Sequence, residues 1–149
     1  MNCLQEFKNL KVGIILYPGS NCAQDIELFF PNSIYIFHKE EGLPKDIQLI
    51  ILPGGFAFGD RVYEKATLSY TMNPGKMAVS SPVSHLLLEA KHYNIPIVGI
   101  CNGFQILCHL RFLPGTLVQN KEKQFVCKPV TCRWNFQNAA KNDVEEDIY

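Results

Sequence analysis

The chain contains no uninterrupted apolar stretch near the roughly 20 residues that a membrane helix needs. Its opening residues, MNCLQEFKNLK, carry Glu6 and lack a continuous apolar core, so they do not read as a secretory leader. Net charge is absent as well, because Lys plus Arg and Asp plus Glu both number 14. With no cluster of basic residues there is no phosphate footprint, which argues against a nucleic-acid partner or an acidic membrane surface. Charge of either sign is scarce, at 19% of residues. Free-standing domains usually carry more, so the scarcity fits a partner subunit. Six cysteines stand at positions 3, 22, 101, 108, 127 and 132 without a CxxC unit. Such spacing reads as reduced thiols of a cytoplasmic protein, and gives neither a disulfide framework nor a zinc knuckle. No metal site is expected. The single Trp and the scattered Phe and Tyr residues lack the basic stripe of a base-stacking surface.

What is present is an apolar fraction of 47% in 149 residues, enough for one domain, 1–149, with one real core. Val12 to Tyr17 is a short β-rich run ended by Pro18-Gly19, and reads as a buried strand. Ser20 or Asn21 is placed to cap a helix whose face carries Ala23, Ile26, Glu27 and Phe30, with Pro31 as its stop. Ser33 to Phe37 and Gln48 to Leu52 are the second and third strands. Residues 57–81 resist assignment and are broken by Asn73-Pro74-Gly75; Arg61 and Lys65 there suit an anion or, more simply, solvent. A helix follows, with Ser81 as cap, Pro82 in its first turn, and Val83, Leu86, Leu87 and Ala90 as its inward stripe. Short strands are expected within 116–119, 124–127 and 130–134, and no core element within 135–149. Strand and helix alternate through the first 110 residues, which argues an α/β fold with a mainly parallel sheet and helices on both faces.

The chemically distinctive stretch is Ile95 to Leu107, IPIVGICNGFQIL. Its first half suits a strand buried on both faces, and its second half has helical spacing. Cys101-Asn102-Gly103 leaves almost no room for a loop. Cys101 is therefore expected at a sharp turn beyond the strand's carboxyl end, beside a helix N-terminus, a position that favours the thiolate. This is the layout of a nucleophile elbow with Cys as the nucleophile. A small buried hydrophobe is the commoner fate of a Cys, and the abrupt strand-to-helix change is what speaks against it here. Gly54-Gly55 closes the third strand and permits a path that aims N–H groups at one spot, or merely a tight turn. Both segments lie at strand carboxyl ends, so they are expected as neighbours in one crevice.

A thiolate facing converging N–H groups is equipped for acyl transfer, with the N–H of Asn102 and of Gly55 or Phe56 as oxyanion donors. The base is missing from this reading. His38 follows a strand and can approach the crevice, while His85 pairs with Glu89 on a helix face. His92 stands at the opposite pole, and His109 lies about 12 Å down the helix axis from Cys101. None is a persuasive partner, and a mechanism built from these residues alone stalls there.

PGSNC at 18–22, LPGGFAFGD at 52–60, SPV at 81–83, GICNGFQIL at 99–107 and LPGTLVQN at 113–120 occur in one order. Together they closely resemble the glutaminase subunits of phosphoribosylformylglycinamidine synthases, which are class I glutamine amidotransferases, over about residues 10–133. The resemblance implies a three-layer sheet domain in which Cys101 attacks the side-chain amide of glutamine, releases ammonia and becomes a γ-glutamyl thioester. It implies an oxyanion hole from Gly55, Phe56 and Asn102, and glutamine binding by Gln105 and Gly54. Asn21 and Asp60 match recurrent motif positions. No cofactor is implied for this subunit; ATP and magnesium belong to the large synthase subunit that receives the ammonia in purine biosynthesis, alongside a small accessory subunit.

Two features depart from that pattern. RVYEKATLSYTMNPGKM replaces the usual wording after Gly59-Asp60. The His and Glu that the family places in a late PxxHxxG/HGEG-like region have no match in 135–149, so the domain is partial and its glutaminase activity is expected to be impaired. An exposed sheet edge or apolar patch should follow. Two other readings stay open: a non-catalytic interaction protein or inactive remnant, and a different cysteine-elbow hydrolase or redox protein.

Overall fold

Four short β-branched runs make one parallel sheet in the computed structural model, which describes residues 3–57, 74–115, 117, 121–122 and 126–131. They are β1 (Val12–Leu16), β2 (Ser33–Phe37), β3 (Leu49–Leu52) and β4 (Ile97–Gly99), in the spatial order β2-β1-β3-β4. Every neighbouring pair is parallel, with Val12 opposite both Ser33 and Leu49, and Leu52 opposite Gly99. Parallel neighbours require crossovers. Helix α2 (Ala23–Phe29) carries the chain from β1 to β2, and α3 (Pro74–Val79) and α4 (Val83–His92) fall between β3 and β4. Helix α1 (Cys3–Lys8) precedes the sheet and α5 (Asn102–His109) follows it.

Alternation along the strands sends side chains to two cores. Ile15, Ile36, Ile50 and Leu52 pack with Val83, Leu86, Leu87 and Ala90 of α4 and with Ile106 and Leu107 of α5. Val12, Ile14 and Ile51 face the other way, onto Ala23 and Ile26 of α2. Fully burying one such Leu or Ile contributes about 1.5–3 kcal/mol, so the two layers together fix the strand register. The chain leaves β1 for β2 on one side and returns to β3 on the other. The switch point therefore lies between β1 and β3, and the crevice opens beyond their carboxyl ends.

The expected α/β architecture and its first three strands are present; the details differ in four places. Cys22, not Ser20 or Asn21, is the N-cap of α2, and makes no side-chain capping bond. Ser20 Oγ instead accepts the Tyr17 N–H at 3.1 Å, tightening the turn after β1. Ser81 does not cap α4 either, since its hydroxyl donates to the His38 carbonyl and ties the helix entry to the end of β2. Helix α3 starts at Pro74, where the sequence suggested a break; a first-turn Pro sacrifices no helical hydrogen bond.

The fourth correction concerns β4, expected to be buried on both faces. Among the described residues it is the edge strand, with Val98 43% exposed, and Ile100 and Phe104 beyond it are exposed as well. Of the late strands expected within 116–119, 124–127 and 130–134, the described residues 117, 126, 127, 130 and 131 are in irregular backbone. Asp60, Arg61, Lys65 and 132–149 lie outside the described residues. Among those described, no helix is long and apolar enough to cross a membrane, and no group of His, Cys, Asp and Glu is arranged to hold a metal ion.

Candidate active site

The turns after β1 and β3 are built into one another. The Phe56 N–H donates to the Gly19 carbonyl at 2.7 Å, and the Cys22 N–H donates to the Gly54 carbonyl at 3.2 Å. Gly19 and Gly55 hold φ values of 97° and 144°, which side chains rarely adopt. A Cβ on Gly55 would also run into the backbone of Gly19, Ser20 and Asn21. The two Pro-Gly motifs are thus halves of a single structure although about thirty residues of sheet and helix separate them.

Cys101 stands between β4 and α5. The ladder runs one residue past the strand, as the Ile100 N–H donates to the Leu52 carbonyl at 3.0 Å. The chain then turns at once: Gly103 N–H donates to Ile100 at 2.9 Å and Gln105 N–H to the Cys101 carbonyl at 3.1 Å. Cys101 absorbs the turn with φ 53° and ψ −110°, a conformation that costs a non-glycine residue about 1–3 kcal/mol. Its side chain is exposed. The glycines on either side permit the crowding. A Cβ on Gly103 would strike the Leu52 backbone, and one on Gly99 would lie 2.7 Å from Gly103.

Of the glycine pair expected beside Cys101, Gly54 lies against it, while Gly55 packs on the turn after β1. A Cβ placed on Gly54 would lie 3.4 Å from the Cys101 Cβ and 3.7 Å from the Cys22 sulfur. What the sequence did not reveal is how the two turns are locked together. The Asn102 side chain is buried; its carbonyl accepts the Ala57 N–H at 3.0 Å, and its amide donates to Gln105 Oε1 at 3.1 Å. Asn102 therefore clamps the β3 turn to the first turn of α5, and Gln105, one helical turn below Cys101, holds the clamp. The only local signal is a small polar residue directly after the Cys, which fits many roles.

Of the anticipated oxyanion donors, Asn102 has its N–H in the first turn of α5, where helical N–H groups lack intrahelical acceptors. Phe56 needs correction: its N–H is committed to Gly19, and its ring is exposed.

None of the four His residues stands beside Cys101. His38 lies at the far edge after β2, with β1 and β3 intervening, so about 14 Å of sheet separates it from the end of β4. Its ring contacts Ser81 Oγ at 3.2 Å and flanks a groove of about 480 Å³ formed with Tyr17, Gly19, Asn21 and Phe37. That groove lies beyond the ends of β1 and β2 and does not include Cys101. His85 and His92 are exposed on α4, and His109 is exposed at the far end of α5. Cys108 is buried, and desolvation pushes its thiol pKa up, which keeps it a neutral core group.

Residues 9–142 match the profile of the CobB/CobQ-like glutamine amidotransferase domain. The chain is 39% identical over 129 residues to the phosphoribosylformylglycinamidine synthase subunit PurQ of Pseudothermotoga lettingae, an alignment covering 83% of this chain and 51% of that protein. It is 38% identical over 126 residues to the PurQ subunit of Leptospira interrogans, covering 81% and 52%. The solved PurLQS structure from Thermotoga maritima superimposes with a TM-score of 0.64 and 32% identity, over 80% of this chain and 52% of the matched one. The chain thus spans about half the length of the relatives it matches. By its profile match, its parallel sheet and its homology to PurQ subunits, the chain belongs to the CobB/CobQ-like glutamine amidotransferase domain family.

Proposed function

We propose that this chain carries the acylating half of a glutaminase, with Cys101 as its nucleophile. The observation that carries the reading is the exposed Cys101 side chain, held at φ 53° over Gly54 at the mouth of the sheet. The sulfur attacks the side-chain amide carbon of glutamine. Negative charge develops on the amide oxygen, where the N–H groups of Asn102 and Gly55 receive it; one such donor contributes about 2.7–4 kcal/mol to the transition state. Collapse, with the leaving nitrogen taking up a proton from solvent, expels ammonia and leaves a γ-glutamyl thioester, which water converts to glutamate and free thiol. Gln105 and Gly54 border the space for the substrate side chain.

Deacylation requires a base to activate that water. None of the four His residues stands beside Cys101, so in this reading the base is supplied from outside the described residues. The PurQ relatives are about twice as long as the matched region, which supports this division. The ammonia passes to a PurL-like synthase subunit, with a PurS-like accessory subunit, for ATP- and magnesium-dependent amination in cytoplasmic purine biosynthesis. The solved PurLQS assembly supports that partnership. The exposed Val98, Ile100 and Phe104 favour a second, compatible role as a docking edge.

A glutamine-derived diazoketone tests the reading. One adduct on Cys101 is expected, slowed by excess glutamine and absent from Cys101→Ala. A natively folded chain that gains no adduct, or whose adduct is indifferent to glutamine, contradicts it.

A further inference from the structure

Two exposed thiols face one glycine. The Cys22 sulfur and the Cys101 Cβ both come within van der Waals reach of the site a Gly54 side chain would occupy, at 3.7 and 3.4 Å. Those two contacts keep the Cys22 sulfur within about 7 Å of the Cys101 Cβ. Gly54 carries no atom to separate them. The Cys22 N–H bond to the Gly54 carbonyl holds the first thiol in place, and the strained turn presents the second.

We propose that Cys22 and Cys101 form a peroxide-sensitive thiol pair, in which Cys22 captures oxidised Cys101 as a reversible disulfide across Gly54. Hydrogen peroxide is the oxidant. The Cys101 thiolate attacks one peroxide oxygen, forming a sulfenic acid and releasing hydroxide, which takes up a proton as water. The Cys22 thiolate then attacks the Cys101 sulfur, displacing hydroxide as a second water and closing the S–S bond. Two thiols and one peroxide thus give one disulfide and two waters. Both thiols border the same side-chain-free position at Gly54, and rotation of the two side chains toward it is the movement that closes the bond, at about 2.05 Å. The disulfide spares Cys101 from irreversible sulfinic acid, and closes the crevice until a thiol reductant reopens it.

The expected result with the intact chain is a mass loss of two hydrogens after brief peroxide treatment, reversed by dithiothreitol. Peptide mapping should join Cys22 to Cys101, with fragment ions distinguishing Cys101 from Cys108. Cys22→Ser and Cys22→Ala should instead accumulate a dimedone-reactive sulfenic acid on Cys101 and pass on to the sulfinic acid. Gly54→Ala keeps both thiols but sets a methyl between them, and should slow disulfide formation severalfold. Sulfinic acid on Cys101 beside an unpaired Cys22 in the unaltered chain, or pairing of Cys101 with another cysteine, overturns the proposal. The readout is mass alone, so its failure leaves the glutaminase reading standing, and the converse also holds.

Discussion

Cys101 and Cys108 lie at opposite ends of one helix and have opposite fates. Cys101 sits where β4 becomes α5, in a backbone conformation that strains it and leaves its side chain open. Cys108 lies two turns on, beside Ile106 and Leu107, and burial pushes its thiol up toward the neutral form. The same side chain is a candidate nucleophile at one end and a core filler at the other. The difference arises from its neighbours: Gly99 and Gly103 let α5 press against β3, and Asn102 ties the adjoining turn in place.

The largest effect is expected from removing that close approach. Gly103→Val forces a side chain into the Leu52 backbone, and should cost about 3 kcal/mol or more. Urea unfolding measures the loss, and alkylation of Cys108 should then approach the rate at Cys101, erasing the contrast. Asn102→Ala comes next. It leaves the Ala57 N–H without its acceptor, for a cost of about 1–3 kcal/mol, and should slow diazoketone labelling of Cys101 while Cys108 stays protected. Cys101→Gly should act in the other direction, because glycine tolerates the positive φ. A gain of about 1 kcal/mol in thermal or urea unfolding is expected, together with loss of labelling.

The smallest effect is on pH dependence. The folded pKa of Cys108 is raised, so its contribution to stability is fully present below the unfolded thiol value, about 8.5. It is lost as pH rises through the higher folded value. Urea midpoints should therefore decline above about pH 8.5, with a shallower decline in Cys108→Ala.

Much of this contrast is legible in the residues themselves. VGIIL, SIYIF and LIIL are short, β-branched and punctuated by Pro-Gly or a polar turn, so local chemistry and the sheet agree. GICNGF exposes the strand-to-helix change for the same reason. Edge status is not local: IVG reads as a buried strand, and only the sheet order shows that nothing described pairs with its outer side. The Asn102 clamp was equally hidden, since Ala57 lies 45 positions away in sequence and its approach depends on β3 and β4 being neighbours. Phe56 looked like an oxyanion donor because its partner, Gly19, belongs to another turn.

The most direct measurement is the intact mass of the chain after mixing with glutamine and acid quench. With a nucleophile in place and no described base beside it, acylation should outpace deacylation. A γ-glutamyl adduct should accumulate on Cys101, be removed by hydroxylamine and be absent from Cys101→Ala. A folded chain that acquires no acyl group from glutamine, or carries one on any other residue, contradicts the account.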